Sequence, residues 1–251
     1  MADRINERDI RVFGSKSELF AFTADRIRTA SQAAIAARGC FAAALSGGQT
    51  PVGLYIEIAR PGGTLDWEKI HIFLVDERLV PDSDSRSNFG MIKKTLLDAV
   101  SIPRSNVHPI PVDCVDPHVS ATMYEEDIRA FFRVPPVAMP RFDLVLLGMG
   151  EDGHTASLFP GAPLLDETAR AVGAVAEGEG RTARVTLTLP VINNAREVVF
   201  LVTGKGKAPI IRRMVEEGDM RLPASRVAPI NGRFSFLCDK EAASELAAPA
   251  R

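Results

Sequence analysis

Cysteine is scarce in this sequence. Its three cysteines, Cys40, Cys114 and Cys238, are odd in number and far apart, so their spacing fits neither a disulfide framework nor a metal site. We expect each to be a small buried side chain in a reducing compartment. The sequence also lacks an apolar run long enough to span a bilayer, and its charged first residues contain no signal-peptide segment. These absences predict a cytoplasmic protein with no membrane partner.

Neither sign of charge is in large excess. The formal net charge is -2 over 251 residues, which argues against nucleic acid as the main partner because nucleic acid requires a basic surface. A small anionic ligand remains compatible, since a few local Lys and Arg side chains suffice to bind one. The composition, 46% hydrophobic and 25% charged, is typical of a globular protein with a substantial core. No repeat or long linker interrupts the chain, and we predict a single domain over residues 1–251.

Apolar runs of strand length alternate with amphipathic segments of helical spacing. This alternation predicts the α/β class, with a mostly parallel sheet and helices on both faces. The predicted strands cover residues 41–45, 70–75, 106–110, 144–147, 171–176, 184–189, 197–203 and 233–238. The predicted helices cover residues 15–38, 52–59, 89–100, 117–132 and 208–217, with single helical turns at Pro190 and over 222–227 and a loop over 80–88.

The most informative segment follows a short apolar strand just past the middle of the chain. It is a turn containing three glycines, Gly148, Gly150 and Gly153, and such a turn directs peptide N–H groups at a ligand. Asp152 and His154 lie among these glycines. A carboxylate two residues before a histidine can hydrogen-bond the ring and make its other nitrogen a better base. We therefore predict that His154 is the catalytic base and acid and that Asp152 orients it.

Three further polar clusters follow predicted strands or turns. The first, Ser46-Gly-Gly-Gln-Thr50, precedes a helix, and a strand, glycine loop and helix in succession form an anion cradle in which Ser46 donates its hydroxyl. The others are Asp76-Glu-Arg78 and the glycine turn 204–207. Ligands bind beyond the carboxyl ends of parallel strands, so we expect one shared site. The predicted substrate and phosphate contacts are Ser46, Gly47, Gly48, Gln49, Thr50, Asp76, Arg78, Gly148, Gly150, Lys207 and Arg226.

Other interpretations of these clusters are weaker. The spacing Gly148-Met-Gly-Glu-Asp-Gly153 matches a dinucleotide fingerprint, but Pro160 and Gly161 would cut the required helix to a turn or two. No second His or Cys stands at metal-ligand spacing near His154, which argues against a zinc site. Ser46 lacks the first glycine of a nucleophile elbow. We expect neither a metal nor a cofactor.

The same segments resemble the motifs of a known family. They are Leu45-Ser-Gly-Gly-Gln-Thr-Pro51, Val75-Asp-Glu-Arg78 with Ser87-Asn88, the long segment from Gly148 to Gly161, and Thr203-Gly-Lys-Gly-Lys-Ala208. Their order and spacing resemble the 6-phosphogluconolactonases over nearly the whole chain. The resemblance implies the fold shared with glucosamine-6-phosphate deaminase and ribose-5-phosphate isomerase. It also implies hydrolysis of 6-phospho-D-glucono-1,5-lactone in the pentose phosphate pathway, without a required metal.

The resemblance also assigns the phosphate contacts. The family usually has Ser where this chain has Gln49, which puts one side-chain contact in doubt and leaves the backbone cradle intact. The family's phosphate lysine corresponds to Lys207 by the spacing Thr-Gly-x-x-Lys-Ala, with Lys205 as an extra cation. Arg78 is expected to be a second counter-charge. Arg226, in Leu-Pro-Ala-Ser-Arg-Val, corresponds less well.

The nearest rival is a sugar-phosphate deaminase or isomerase of the same fold, such as glucosamine-6-phosphate deaminase. That family has Asp-Glu-Tyr where this chain has Asp-Glu-Arg78, and Asn-Glu-Pro where it has Leu158-Phe-Pro160. The missing acid beside Pro160 favours the lactonase. A non-enzymatic sugar-phosphate regulator would require a DNA-binding segment, and none is visible. We expect a small-molecule substrate and a monomer or small homo-oligomer.

Overall fold

The computed structural model describes residues 9–63, 65–114, 116–178 and 180–247. Ten strands lie in these ranges: β1 (Asp9–Phe13), β2 (Phe41–Leu45), β3 (Ile70–Leu74), β4 (Asp76–Arg78), β5 (Val107–His108), β6 (Leu144–Leu147), β7 (Val172–Val175), β8 (Arg184–Leu187), β9 (Glu197–Val202) and β10 (Arg233–Asp239). Seven form a parallel sheet in the order β1-β10-β9-β6-β2-β3-β5. The other three form an antiparallel sheet in the order β4-β8-β7. The predicted α/β class with a mostly parallel sheet is confirmed.

Six α-helices lie in the same ranges: α1 (Lys16–Arg38), α2 (Thr50–Ile58), α3 (Asn88–Thr95), α4 (Pro117–Phe132), α5 (Leu189–Asn193) and α6 (Ala208–Val215). Local signals in the sequence fix their ends. The Ser15 side chain accepts the Glu18 N–H at the start of α1, and Gly39, with φ of 83°, ends that helix. None of the helices in the described ranges has both the length and the apolar content needed to cross a membrane.

The direction of the crossovers divides the helices between the two faces of the large sheet. The connections through α1, α2 and α3 advance across the sheet towards β5, whereas those through α4 and α6 advance towards β1. Because crossovers between parallel strands are right-handed, α1 to α3 lie on one face and α4 and α6 on the other. The contacts agree, since α1 packs on α2, α2 packs on α3, and α4 packs on β7 and β8.

The central strands of the large sheet are fully buried. All residues of β2, β6 and β9 are buried, as expected for parallel strands with helices on both sides. From β2 the chain adds β3 and then β5 on one side of the sheet. It then returns to β6 on the other side of β2 and adds β9 and β10 beyond it, so the strand order reverses between β2 and β6. Such a reversal leaves a crevice at the carboxyl ends of the two strands.

Several elements differ from the sequence expectations. β1 was not predicted, because its charged Asp9 and Arg11 conceal a short edge strand that pairs with β10. The predicted helix 89–100 is interrupted at Leu96, whose φ of -128° ends α3 before a single 3-10 turn. The predicted strand 106–110 shortens to two residues because Pro109 has no N–H to continue the ladder. The antiparallel sheet was also not predicted.

Candidate active site

A cleft of about 440 Å³ opens at the carboxyl ends of β9, β6, β2 and β3. It lies over the point where the strand order reverses, so four loops that are distant in sequence meet there. The lining includes eleven of the predicted site residues: Ser46, Gly47, Gly48, Gln49, Thr50, Asp76, Arg78, Gly148, Gly150, His154 and Lys207. The remaining lining residues are Pro51, Asn88, Met149, Thr155, Ala156, Arg184, Leu201, Val202 and Thr203.

Glycines shape the turn that carries His154. The Gly150 N–H donates to the His154 carbonyl at 2.8 Å, and Gly153 adopts a φ of 83°. A Cβ on Gly150 would lie 2.1 Å from Nδ1 of His154, so only glycine fits at this position. The Thr155 hydroxyl closes the turn by donating to the Gly148 carbonyl at 2.8 Å. These bonds hold the imidazole at the cleft.

Asp152 and His154 form a hydrogen-bonded pair. Nδ1 of His154 lies 2.5 Å from Oδ1 of Asp152, and the same oxygen accepts the His154 backbone N–H at 3.1 Å. Burial raises the pKa of the Asp152 carboxyl, but the His154 N–H and imidazole outweigh burial, and the net shift of this pKa is downward. Because Nδ1 is engaged by the carboxylate, Nε2 is the ring nitrogen left for a ligand. Asp152 itself does not line the cleft.

The loop after β2 forms the second part of the site. The Ser46 hydroxyl donates to the Leu146 carbonyl at 2.8 Å, and the Ser46 carbonyl accepts from the Tyr55 hydroxyl at 2.6 Å. In this structure the Ser46 hydroxyl therefore donates to β6, and its donation to a phosphate stays a prediction. Gln49 makes no side-chain capping bond at the start of α2, which is the arrangement that binds anions at helix N-termini.

The glycine loop 46–50 contacts the end of β9 on one side and the start of α3 on the other. The Thr50 and Thr203 hydroxyls are 2.9 Å apart, which joins the start of α2 to the end of β9. On the other side, a Cβ on Gly47 would lie 1.8 Å from Oδ1 of Asn88. Nδ2 of Asn88 donates to the Asp76 carbonyl at 2.8 Å. Glycine at position 47 therefore allows the close approach of α3.

Asp76 and Glu77 play different parts at the end of β3. The Asp76 carboxylate lines the cleft and accepts the Ser157 hydroxyl at 2.6 Å. The Glu77 carboxylate is fully buried and accepts the backbone N–H groups of Arg78, Asn88 and Phe89. Burial raises the pKa of Glu77, and the N–H donors, that of Phe89 first, act against the rise. Glu77 thus holds the start of α3 in place, whereas Asp76 faces the ligand space.

The structure separates the predicted cations. Nζ of Lys207 lies at the cleft, 3.9 Å from the Glu151 carboxylate, whereas Lys205 is exposed and outside the lining. Nη1 of Arg226 lies 3.4 Å from Oδ1 of Asp166, away from the residues that line the cleft. The structure therefore lends no support to a phosphate contact from Arg226, and it favours Lys207 over Lys205.

Some lining residues were missed by sequence reasoning. Arg184 begins β8 and reaches the cleft only because that strand pairs with β4, where Arg78 is its partner. Nothing local in the sequence indicates this pairing. Asn88 could have been predicted, because Ser87-Asn88 is one of the family-like motifs. The Asn88 amide hydrogen-bonds Asp76, which explains why the motif contains an asparagine. In the described part of the chain, no group of three or more His, Cys, Asp and Glu side chains is placed to hold a metal ion.

Fold and cleft together define an α/β protein with a polar cleft at the carboxyl edge of a parallel sheet. The family model described as glucosamine-6-phosphate isomerases/6-phosphogluconolactonase matches residues 14–236, and the chain belongs to this family. The 6-phosphogluconolactonase of Synechocystis sp. is 43% identical over 215 residues, which are 85% of this chain and 88% of the relative. The 6-phosphogluconolactonase of Homo sapiens is 37% identical over 246 residues, covering 96% and 94%.

Solved structures give the same result. The 6-phosphogluconolactonase of Trypanosoma brucei superposes with a TM-score of 0.85 at 30% identity, covering 96% of this chain and 99% of its own. A monomeric glucosamine-6-phosphate deaminase superposes with a TM-score of 0.79 at 19% identity, covering 94% and 99%. The second likeness is one of fold alone. It confirms the expectation that the fold is shared with the deaminase.

Proposed function

We propose that the chain hydrolyses 6-phospho-D-glucono-1,5-lactone to 6-phospho-D-gluconate, a reaction of the pentose phosphate pathway. One observation carries the proposal: His154, hydrogen-bonded to Asp152, lines the same cleft as the glycine loop 46–50 and Lys207. The loop and the lysine suit a phosphate, and the pair suits proton transfer. The naming of relatives that are 37% and 43% identical over most of the chain supports this assignment.

The phosphate binds at the end of the cleft between β2 and β9. There the uncapped start of α2 supplies N–H groups, and Lys207 supplies the positive charge. Because the turn of His154 follows β6, which lies between β2 and β9 in the sheet, the lactone ring extends from the phosphate across this turn. Arg78 lies on β4, which follows β3, and it lines the same cleft as the glycine loop 46–50, so its pairing with the phosphate stays a prediction.

His154 moves the protons of the reaction. With Nδ1–H donated to Asp152, Nε2 removes a proton from water as the water oxygen attacks the lactone carbonyl carbon. The carbonyl oxygen becomes an oxyanion, and the bond between the carbonyl carbon and the ring oxygen then breaks. Nε2 returns its proton to the ring oxygen, which leaves as a hydroxyl. The carboxylic acid product ionises at neutral pH, so one proton is released for each lactone opened.

Glucosamine-6-phosphate deamination is the alternative. The fold does not separate the two reactions, because a deaminase shares it at 19% identity. The segment after the histidine does, since the chain has Phe159 where the deaminase pattern has an acid. The Phe159 ring lies 4.8 Å from the His154 ring and offers no carboxylate. This observation favours lactone hydrolysis.

A direct assay tests the proposal. The purified chain is mixed with freshly made 6-phosphogluconolactone, and proton release is followed against a matched blank, because the lactone also opens unaided. Glucosamine 6-phosphate is assayed in parallel for ammonia. Accelerated lactone opening without ammonia release is the expected result. Ammonia release without accelerated lactone opening would overturn the assignment.

Location and assembly are further parts of the proposal. We propose a cytoplasmic enzyme that acts as a monomer or a small homo-oligomer. The cysteines are consistent with a reducing compartment, since Cys40, Cys114 and Cys238 are all free thiols. Size-exclusion chromatography with light scattering measures the assembly state directly.

A further inference from the structure

Two arginines lie directly opposite each other at the edge of the cleft. Arg78 of β4 and Arg184 of β8 are register partners in the antiparallel sheet, and both line the cleft. Like charges placed opposite each other across a strand pair destabilise the pairing. A negative group beside the two guanidinium groups would relieve this repulsion.

The Arg184 guanidinium makes few hydrogen bonds to the protein. In the described part of the chain its side chain makes one hydrogen bond, a 3.5 Å contact from Nη1 to the Ser157 hydroxyl. Its Nε is buried and has no partner. The Arg184 guanidinium carbon lies 5.5 Å from the centre of the Phe159 ring, which contributes packing but no full charge. Burial, followed by the neighbouring Arg78, lowers the pKa of Arg184 below its ordinary value.

The nearby carboxylates are already engaged elsewhere. Oδ2 of Asp76 accepts the Ser157 hydroxyl, and the Glu77 oxygens accept backbone N–H groups at the start of α3. Arg78 is partly committed as well, because its Nη1 donates to the Arg86 carbonyl at 2.5 Å. The Nε of Arg78 is also buried without a partner, so within the described residues each arginine makes a single side-chain hydrogen bond. The bond from Arg184, at 3.5 Å, is the longer and weaker of the two. A partly buried guanidinium without an ion pair is the kind of group that an anionic ligand stabilises.

We propose that Arg184, assisted by Arg78, binds the lactone carbonyl oxygen as it gains negative charge and then binds the product carboxylate. This inference rests on the proposed function and adds a second anion site to it, at the end of the cleft opposite Lys207. Water adds to the carbonyl carbon, and the carbonyl π electrons move to the oxygen that faces Arg184. When the bond to the ring oxygen breaks, that ring oxygen takes the proton from His154. Arg184 stays protonated throughout and supplies only charge and hydrogen bonds.

Binding of two phosphorylated ligands tests the inference without relying on turnover. 6-Phospho-D-gluconate carries a phosphate and a carboxylate, whereas D-glucitol 6-phosphate has a hydroxymethyl group in place of the carboxylate. Calorimetry on the full chain measures both affinities for the unmodified protein and for Arg184→Met, Arg184→Lys and Lys207→Met. Arg181→Met is the matched control, since its guanidinium carbon also lies over Phe159, at 4.4 Å, but outside the cleft lining.

We expect Arg184→Met to lose affinity for the ligand that carries a carboxylate and to keep it for the ligand that does not. The unmodified protein binds 6-phosphogluconate more tightly than glucitol 6-phosphate. Arg184→Met weakens 6-phosphogluconate by about 10- to 100-fold, the usual contribution of a charged hydrogen bond, and leaves glucitol 6-phosphate nearly unchanged. Arg184→Lys keeps part of the preference, Lys207→Met weakens both ligands, and Arg181→Met weakens neither.

Other outcomes overturn the inference. Equal weakening of the two ligands by Arg184→Met assigns Arg184 to the phosphate or to general structure. If Arg184→Met binds both ligands as the unmodified protein does, Arg184 takes no part in ligand recognition. The same conclusion follows if the unmodified protein does not prefer 6-phosphogluconate to glucitol 6-phosphate. Should Arg184→Met fail to fold, Arg184→Lys must still reduce the preference. A protein that shows the carboxylate preference but does not accelerate lactone opening disproves the proposed function while leaving the Arg184 site standing.

Discussion

Nδ1 of His154 lies 2.5 Å from Oδ1 of Asp152, and the same carboxylate oxygen holds the backbone N–H of the histidine. One oxygen thereby fixes both the turn and the ring that the turn carries. Asp152 is not among the residues that line the cleft, so we expect its carboxylate to set the tautomer without contacting a ligand. This relationship underlies the first two predictions.

We expect His154→Ala to lower turnover by about 10²- to 10⁴-fold, the usual contribution of a positioned proton carrier. The affinity for 6-phosphogluconate should change little, because the phosphate contacts lie on other loops. Steady-state rates and calorimetry measure the two effects separately. A variant that keeps near-normal turnover would exclude His154 from the mechanism.

Asp152→Asn should reduce turnover less than His154→Ala does, by about 10- to 100-fold, because the base remains while its tautomer is no longer fixed. The net downward shift of the Asp152 pKa keeps the carboxylate charged to more acidic pH than an ordinary aspartate. A pH–rate profile of the unmodified enzyme should show no decrease of activity with the pKa of an ordinary aspartate. A decrease with that pKa would contradict the prediction.

Gly150→Ala should remove most activity while the fold survives. A Cβ at this position would lie 2.1 Å from Nδ1 of His154 and 2.6 Å from Oδ1 of Asp152, so the ring must leave its position. Gly148→Ala is the comparison within the same turn, since no atom lies within 4 Å of the position its Cβ would take. We expect a clearly smaller loss from Gly148→Ala. Equal rates for the two variants, at equal melting temperatures, would show that the ring does not need this space.

Lys207→Met should raise KM and leave kcat within a few-fold, because the lost interaction is with the phosphate in both the ground state and the transition state. Lys205→Met is the matched control, as Lys205 is exposed and outside the cleft lining. We expect its KM to stay unchanged at moderate ionic strength. An increase of KM in the Lys205 variant alone would reverse the assignment of the two lysines.

Glu167 should contribute to stability in a defined pH range. Its carboxylate accepts the N–H groups of Thr168, Ala169 and Arg170 and pairs with the Arg170 guanidinium. The Ala169 N–H, ahead of Arg170, lowers the pKa of Glu167 to about 2. A depressed acid pKa stabilises the fold above the unfolded value of about 4.3, and this contribution disappears as the pH falls through the folded pKa.

Glu167→Gln should therefore lower the free energy of unfolding by about 1 kcal/mol at pH 7, the net contribution of a typical hydrogen bond. The difference from the unmodified protein should shrink between roughly pH 4.3 and pH 2. Urea unfolding at several pH values measures it, and lactonase activity is the control because Glu167 lies outside the cleft lining. A difference that stays constant down to pH 2 would contradict the linkage.

The sequence was sufficient for the turn of His154 because everything that defines it is local. The three glycines, the aspartate and the histidine all lie within residues 148–154, and their conformational roles follow from residue type. Apart from β1 and β4, the order of strands and helices was predictable for the same reason. The alternation of apolar and amphipathic segments carries it.

Contacts between distant segments could not be predicted in this way. The partner of the Ser46 hydroxyl is a carbonyl on β6, and Arg184 reaches the cleft through the register of a strand of three residues. β4 is too short to have a period of its own, so neither the antiparallel sheet nor the arginine pair could be expected. The motif resemblance helped with Asn88 but did not indicate Arg184.

The pairing of β1 with β10 also determines when the enzyme becomes complete during its synthesis. The first described strand must wait for nearly the whole chain before its neighbour emerges from the ribosome. The Asp239 carboxylate at the end of β10 accepts the Gly204 N–H at 3.0 Å, and Gly204 begins the turn that carries Lys207. A nascent chain can thus form the turn of His154 well before the lysine turn is anchored. Of the contacts at the cleft described above, the anchoring of the lysine turn by Asp239 is therefore the last for which translation supplies the residues.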